Sequence, residues 1–368
     1  MKVLTVFGTR PEAIKMAPIV KELEKNSNIE SRVCVTGQHR EILDQVLEVF
    51  DIKPDFDLDI FKPGQSLSQI TTKALLGMEK VIEEFRPDLL LIQGDTTTVF
   101  TGALAAFYHK IPVGHVEAGL RSENIYSPYP EEANRKLTSV ITSLHFAPTE
   151  IAKENLLQEG YNPADIYVTG NTVIDALKYT VKDKYIFDKS PLDSIQYNNK
   201  VILLTSHRRE NWGEPMERIF SAMKKIVEMR PEVELIFPVH PNPKVRTVAD
   251  KYLKGMDRVH LIEPLSYEPF CNLMAKSHIV VTDSGGVQEE APTLGKPVLV
   301  VREETERPEG IEAGTAKLLG TDEAVIIEEV LRLLDDENSY KSMANAVNPY
   351  GDGYASKRIV EIICNRFL

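Results

Sequence analysis

Short apolar runs alternate along the chain with longer stretches of helical periodicity. VLTVFG (3–8), RVCVTG (32–37), DLLLIQGD (88–95), VGHVEAG (113–119), SLHFAPT (143–149) and IYVTG (166–170) read as strands in the first half. KVILLTSHR (200–208), ELIFPVH (234–240), VHLIEP (259–264), HIVVTDSGG (278–286) and KPVLVVRE (296–303) continue the series. The runs are nearly continuous Val, Ile and Leu, which predicts strands covered on both faces, as in parallel sheets. Their alternation with helices predicts an α/β protein of two Rossmann-type, doubly wound domains. A polar stretch, VKDKYIFDKSPLDSIQYNNK, separates the two series and sets the domains at about 1–172 and 173–351. NPYGDGYAS (348–356) reads as a second crossing, with the last helix, about 352–368, returning to the first domain. Composition alone equally allows an ordinary loop before an ordinary last helix.

The chain of 368 residues, 42% hydrophobic and 27% charged, is long enough for two well-filled cores. A net charge of −12 argues against nonspecific nucleic-acid binding but allows a local cationic pocket. Cys34, Cys271 and Cys364 lie far apart and form no CxxC, so neither a disulfide framework nor a zinc site is expected. The opening apolar stretch soon meets Arg10 and Glu12, unlike a signal peptide, and no run reaches membrane-spanning length. These features predict a soluble, cytoplasmic protein without a membrane partner.

Ligands of open α/β sheets bind beyond the carboxyl ends of the strands. In both halves those ends carry reactive side chains: Gly8-Thr9-Arg10, Gly37-Gln38-His39, Gly94-Asp95 and Glu117 first, then His207-Arg208-Arg209, His240-Pro241-Asn242 and Asp283-Ser284-Gly285-Gly286. This convergence predicts a site in a cleft between the domains. Ser284, Gly285 and Gly286 stand where a helix begins, suited to a phosphate, although a capped tight turn has the same composition. Glu290 follows on that helix, placed for a ribose. No GxGxxG follows a strand and no GxxxxGK[ST] occurs, so neither an NAD site nor a P-loop is supported. Arg10, Lys15, Arg135 and Arg307 are the candidate cations. Asp95, Glu117 and Glu131 are candidate acids and bases. Helix capping by Asp95, ahead of Thr96-Thr97-Thr98, is a rival to catalysis. His207 and His240 end equivalent strands and suit a diphosphate or a proton shuttle. With no HExxH and no close His/Cys cluster, a metal is not expected.

Together, FGTRPEAIKMAP (7–18), TGQHREILDQV (36–46), QGDTTT (93–98), HVEAGLRS (115–122), PEEANR (130–135), TSHRRENWG (205–213), PVHPNP (238–243) and TDSGGVQEEAPTLGKPVLVVREETERPEG (282–310) resemble the non-hydrolysing UDP-N-acetylglucosamine 2-epimerases. The resemblance implies a GT-B-like fold and a homodimer. It implies interconversion of UDP-GlcNAc and UDP-ManNAc through 2-acetamidoglucal and bound UDP, with no cofactor, supplying ManNAc for cell-surface polysaccharide. By the same resemblance Asp95, Glu117 and Glu131 are the acid/base carboxylates, and His207 stands near the leaving phosphate. Arg10, His240, Ser284, Gly285 and Gly286 hold the diphosphate, and Glu290 the ribose. Arg135 and Arg307 line the sugar end, with Lys15 in the first-domain wall. A second UDP-GlcNAc, acting as an activator beside Gln38, His39 and Arg209, is a further implication. A hydrolysing epimerase releasing ManNAc and UDP, a GT-B glycosyltransferase and a non-catalytic UDP-sugar binder are the alternative readings.

Overall fold

The computed structural model describes residues 1–37, 40–62, 64–188 and 190–368, the side chains of residues 40–42 excepted. Gln38 and His39, expected beside an activator, lie outside the described residues. The chain forms two units, residues Met1–Tyr179 with Tyr350–Leu368 and residues Thr180–Pro349. The first crossing falls at the end of the helix Thr172–Thr180, and the second lies between Pro349 and Tyr350.

The first unit contains β1 (Lys2–Phe7), β2 (Glu30–Val35), β3 (Phe56–Asp57), β4 (Leu89–Gln93), β5 (Val113–Val116), β6 (Leu144–Ala147) and β7 (Ile166–Val168). They form one sheet in the order β3-β2-β1-β4-β5-β6-β7, with every pairing parallel. Val3, Leu4, Val6, Phe7 and Leu89 to Ile92 are 0% exposed, as continuous apolar strands between two helical layers require. The strand order reverses between β1 and β4, which makes the carboxyl ends of β1, β4 and β5 the binding edge of this sheet. The last helix, Ala355–Phe367, closes the unit: the buried carboxylate of Asp175 caps it, accepting from the backbone N–H of Ser356 at 2.8 Å and of Ala355 at 3.2 Å.

The second unit contains β8 (Lys200–Thr205), β9 (Val233–Pro238), β10 (Val259–Ile262), β11 (Ile279–Thr282), β12 (Val298–Val300) and β13 (Ala316–Leu318), ordered β10-β9-β8-β11-β12-β13, again all parallel. Its switch point lies between β8 and β11. Phe220 and Phe237 meet edge to face in its core, with centroids 5.2 Å apart. No helix among the described residues is long and apolar enough to cross a membrane.

Two core histidines make the first unit acid-sensitive. His115 and His145 are register partners on β5 and β6, and burial pushes their pKa values down to about 4 and about 3. As pH falls below 6.5 the unfolded chain takes up protons that the folded unit refuses, so stability is lost in that direction. Each ring contributes about 1.4 kcal/mol of loss per pH unit once the unfolded chain is fully protonated. Calorimetry from pH 7 to pH 5 should therefore show a falling melting temperature and proton uptake on unfolding; a flat profile contradicts this account.

Candidate active site

Each unit gathers its own cluster of polar groups at its binding edge. In the first, β1 ends in a turn that has to be glycine. A Cβ on Gly8 would stand 2.1 Å from Oγ1 of Thr36 and 2.7 Å from Oγ1 of Thr98. The next residues enter the helix Arg10–Glu24 through a capping box of Thr9 and Glu12. Glu12 is fully buried, which raises its pKa, and its Oε2 accepts from Gly8 N at 2.8 Å and Thr9 N at 2.7 Å. Oε1 accepts from the Thr96 hydroxyl at 2.5 Å. Glu12 thus ties the β1 turn to the β4 turn. Arg10, half-buried, opens the helix.

Glu117 follows β5 in the left-handed region, at φ +65°, an uncommon conformation for a residue with a side chain. Its carboxylate, 8% exposed, receives Lys15 Nζ at 2.5 Å and Asn171 Nδ2 at 3.4 Å on Oε1, and the amide of Gln93 on Oε2. Three elements therefore fix one carboxylate. Lys15, expected in the wall of the site, is the ion partner of Glu117.

Asp95 follows β4 and is not a helix cap. Thr96 occupies the N-cap of the helix Thr97–Tyr108, while Oδ2 of Asp95 accepts from Nε and Nη2 of Arg135 at 2.9 and 2.6 Å. Arg135 also donates from Nη1 to Glu132 at 3.0 Å, and Asn134 donates to the Asp95 carbonyl at 2.9 Å. Glu132 is fully buried, and its Oε1 has no hydrogen-bond partner. Glu131, half-buried, is the first residue of the helix Glu131–Ile141 that carries these groups.

In the second unit the organising residue is Asp283, the first after β11 and 0% exposed. Its Oδ2 accepts from the backbone N–H of His207 at 2.8 Å and of Arg208 at 2.9 Å, from Asn211 Nδ2 at 3.2 Å and from the Ser206 hydroxyl at 3.2 Å. Its Oδ1 lies 3.2 Å from His207 Nδ1. Burial would raise this carboxyl, but the hydrogen bonds and the attraction of His207 prevail and hold it below its ordinary 3.8. The stabilisation is therefore complete above about pH 4 and fades as pH falls below it.

His207 is partly exposed and stacks on His240, with centroids 5.7 Å apart and planes at 11°. Nδ1 of His240 accepts from Asn242 N at 3.1 Å, which puts the proton of its neutral form on Nε2. Burial, and the neighbouring His207, lower the His240 pKa.

Ser284 occupies the N-cap position of the short helix Gly285–Glu290 without a capping bond from its side chain. A Cβ on Gly285 would lie 3.8 Å from Nη2 of Arg208 and 3.9 Å from Cζ of Arg307, so two guanidinium groups flank this turn. At Gly286 nothing would lie within 4 Å of a Cβ, so the protein's own packing does not demand glycine there. Arg307 is bonded through Nε to the buried Glu289. Glu290 is buried beside the Tyr267 hydroxyl, at 3.5 Å. Arg302, 6% exposed at its side chain, clamps Glu210 and Glu306 at 2.5 and 2.6 Å and joins the loop after β8 to the loop after β12. Arg209 is exposed on the first of these loops.

Gln93, Asn171 and Arg302 are neighbours of the candidate residues that the residue pattern does not single out. Among the described residues one trio, Glu79, Glu83 and His109, brings possible metal-ligand atoms within 4.8 Å of one another. It sits where two helices end, at the sheet edge opposite the clusters above.

The comparisons with known proteins agree with one another. The family described as UDP-N-acetylglucosamine 2-epimerase matches residues 21–364. The UDP-N-acetylglucosamine 2-epimerase of Bacillus subtilis is 59% identical over 361 residues, covering 98% of this chain and 94% of the relative. The crystal structure of the Neisseria meningitidis UDP-GlcNAc 2-epimerase bound to UDP-GlcNAc is 54% identical, with a TM-score of 0.87 and coverage of 99% and 100%. The Methanocaldococcus jannaschii enzyme in complex with UDP-GlcNAc and UDP is 37% identical, with a TM-score of 0.77 and coverage of 99% and 100%.

Proposed function

The chain belongs to the UDP-N-acetylglucosamine 2-epimerase family, and from that membership we propose that it interconverts UDP-GlcNAc and UDP-ManNAc by the non-hydrolysing route. The hydrogen at C2 of the sugar is not α to a carbonyl, so its direct removal leaves an unstabilised carbanion. Expelling UDP solves this. The C1–O bond breaks with both electrons going to the diphosphate, a carboxylate takes the C2 proton, and the C2–H electrons become the C1=C2 bond of 2-acetamidoglucal. Return of UDP to C1 and of a proton to the other face of C2 completes the inversion.

The observation that carries this reading is the pair of held carboxylates at the ends of adjacent strands, Glu117 with Lys15 and Asp95 with Arg135. General acid–base catalysis needs groups fixed in this way. Glu131 is the third candidate at the same edge. In the second unit His207, backed by Asp283, supports the charge that develops on the departing phosphate. His240, Ser284, Gly285 and Gly286 hold the diphosphate, Glu290 takes the ribose, and Arg307 faces the sugar end; Arg10 is the first unit's candidate cation for a phosphate. The free Cβ space at Gly286 suits a ligand approaching the backbone.

Proton NMR of the protein with UDP-GlcNAc in D2O tests the proposal. The expected product is UDP-ManNAc carrying deuterium at C2. Release of free ManNAc and UDP would move the protein to the hydrolysing class, and bound but unchanged UDP-GlcNAc would refute catalysis.

A further inference from the structure

The two carboxylate-bearing turns of the first unit share a brace that the reaction above leaves without a role. His115, the third residue of β5, is 1% exposed. Its Nε2 lies 2.7 Å from the carbonyl oxygen of Gly94, in the turn that ends the neighbouring β4. A carbonyl only accepts, so Nε2 carries the proton. Burial keeps the ring neutral near pH 7. The Gly94 bond and the charge of Glu117 oppose that effect, while Arg121 and Arg135 add to it. Nδ1 is a buried acceptor with no partner, so the donation to Gly94 is the bond this ring supplies.

Gly94 is the hinge of the turn. It adopts φ +83°, and its N–H donates to the Val116 carbonyl at 3.1 Å. Both of its backbone polar groups are thus bonded to β5. On one side of it Gln93 holds Glu117; on the other stands Asp95. A Cβ on Gly94 would lie 4.0 Å from Oε2 of Glu117, so the turn and that carboxylate are in near contact. A shift of Gly94 therefore displaces both carboxylates.

We infer that His115 is a positioning residue for the epimerisation: one imidazole, donating to Gly94, fixes the Gln93–Asp95 turn against the strand that carries Glu117 and so sets the spacing of the two carboxylates. The inference rests on the carboxylate roles proposed above.

The test compares His115→Phe, which fills the space without a donor, with His115→Gln, which keeps an N–H. The Phe variant should lose at least about 30-fold in kcat, since a misplacement near 1 Å costs about 10²-fold. Its KM for UDP-GlcNAc and Kd for UDP should stay within about threefold, and Gln should restore kcat to within about fivefold of the parent. A folded Phe variant with near-normal kcat overturns the inference. So does a parallel loss of UDP affinity, or a Gln variant no better than Phe. Should the Phe variant fail to fold, 15N NMR of the histidines in the unmodified protein decides. A neutral Nε2–H ring at His115 between about pH 5.5 and 8 is expected; an Nδ1–H tautomer, or a ring that charges in that range, refutes the brace. Failure of the unmodified protein to turn over UDP-GlcNAc counts against the assigned reaction, and the NMR result then decides the brace separately.

Discussion

Replacing Glu117 by Gln should lower kcat by about 10²–10⁴-fold while leaving UDP affinity within about threefold. The side chain keeps its size but only one of its two oxygens, so Gln93, which donates to Oε2, or Asn171, which donates to Oε1, must turn its own amide to keep a partner. What is lost is the negative charge that Lys15 meets at 2.5 Å and the capacity to take a proton. The residues assigned to UDP belong to the second unit, apart from Arg10. Kinetics alone would not separate catalysis from binding, so the decisive comparison is kcat for UDP-GlcNAc against the Kd for UDP measured by calorimetry. Equal losses in both would mean that Glu117 serves the architecture of the first unit and not the reaction.

A comparable loss is expected from Asp283→Asn, for a different reason. Four donors converge on Oδ2 of Asp283, and an amide oxygen placed there keeps them satisfied. The amide nitrogen then replaces Oδ1, 3.2 Å from Nδ1 of His207, and presents an N–H in place of a negative oxygen. A neutral His207 ring is then favoured with its proton on Nε2, and the charge that backed the ring is gone. With the fold intact, kcat should fall by about 10²–10⁴-fold, the range of acid–base losses and of the tautomer reversal known from the catalytic triad. Asp283→Ala should act on the fold itself. It leaves buried donors unpaired and should cost the second unit about 3–5 kcal/mol, as breaking a buried ion pair usually does. Denaturant unfolding of both variants separates the two effects. An Asn variant with normal turnover would remove His207 from the reaction.

Much of this architecture is legible in the residue pattern alone. All eleven apolar runs are strands within a few residues, because continuous burial leaves an unmistakable pattern of Val, Ile and Leu. β3 and β13 leave no such mark: they are two and three residues long, at sheet edges, with exposed or half-exposed positions that dilute the signal. The runs also extend past the carboxyl ends of the strands, since turn residues such as Gly94 and Asp95 follow without a clear break in the pattern. Candidate residues are legible where they stand soon after a strand, as Asp95, Glu117, His207 and His240 do. Their partners are not. Lys15 meets Glu117 across 102 positions of sequence, and His207 meets Asp283 across 76. Both pairings depend on strand orders, β1-β4-β5 and β8-β11, that periodicity does not specify. For the same reason the choice between capping and catalysis at Asp95 requires the position of Arg135.

The central claim is that UDP leaves C1 during the inversion at C2. It is tested most directly with UDP-GlcNAc carrying 18O in the oxygen that bridges C1 and the β-phosphate, followed by 31P NMR of recovered substrate. Cleavage lets the β-phosphate rotate before the bond re-forms, so the account predicts that the label spreads to non-bridging positions while UDP-ManNAc accumulates. UDP-ManNAc formed with the label still wholly in the bridge would contradict it.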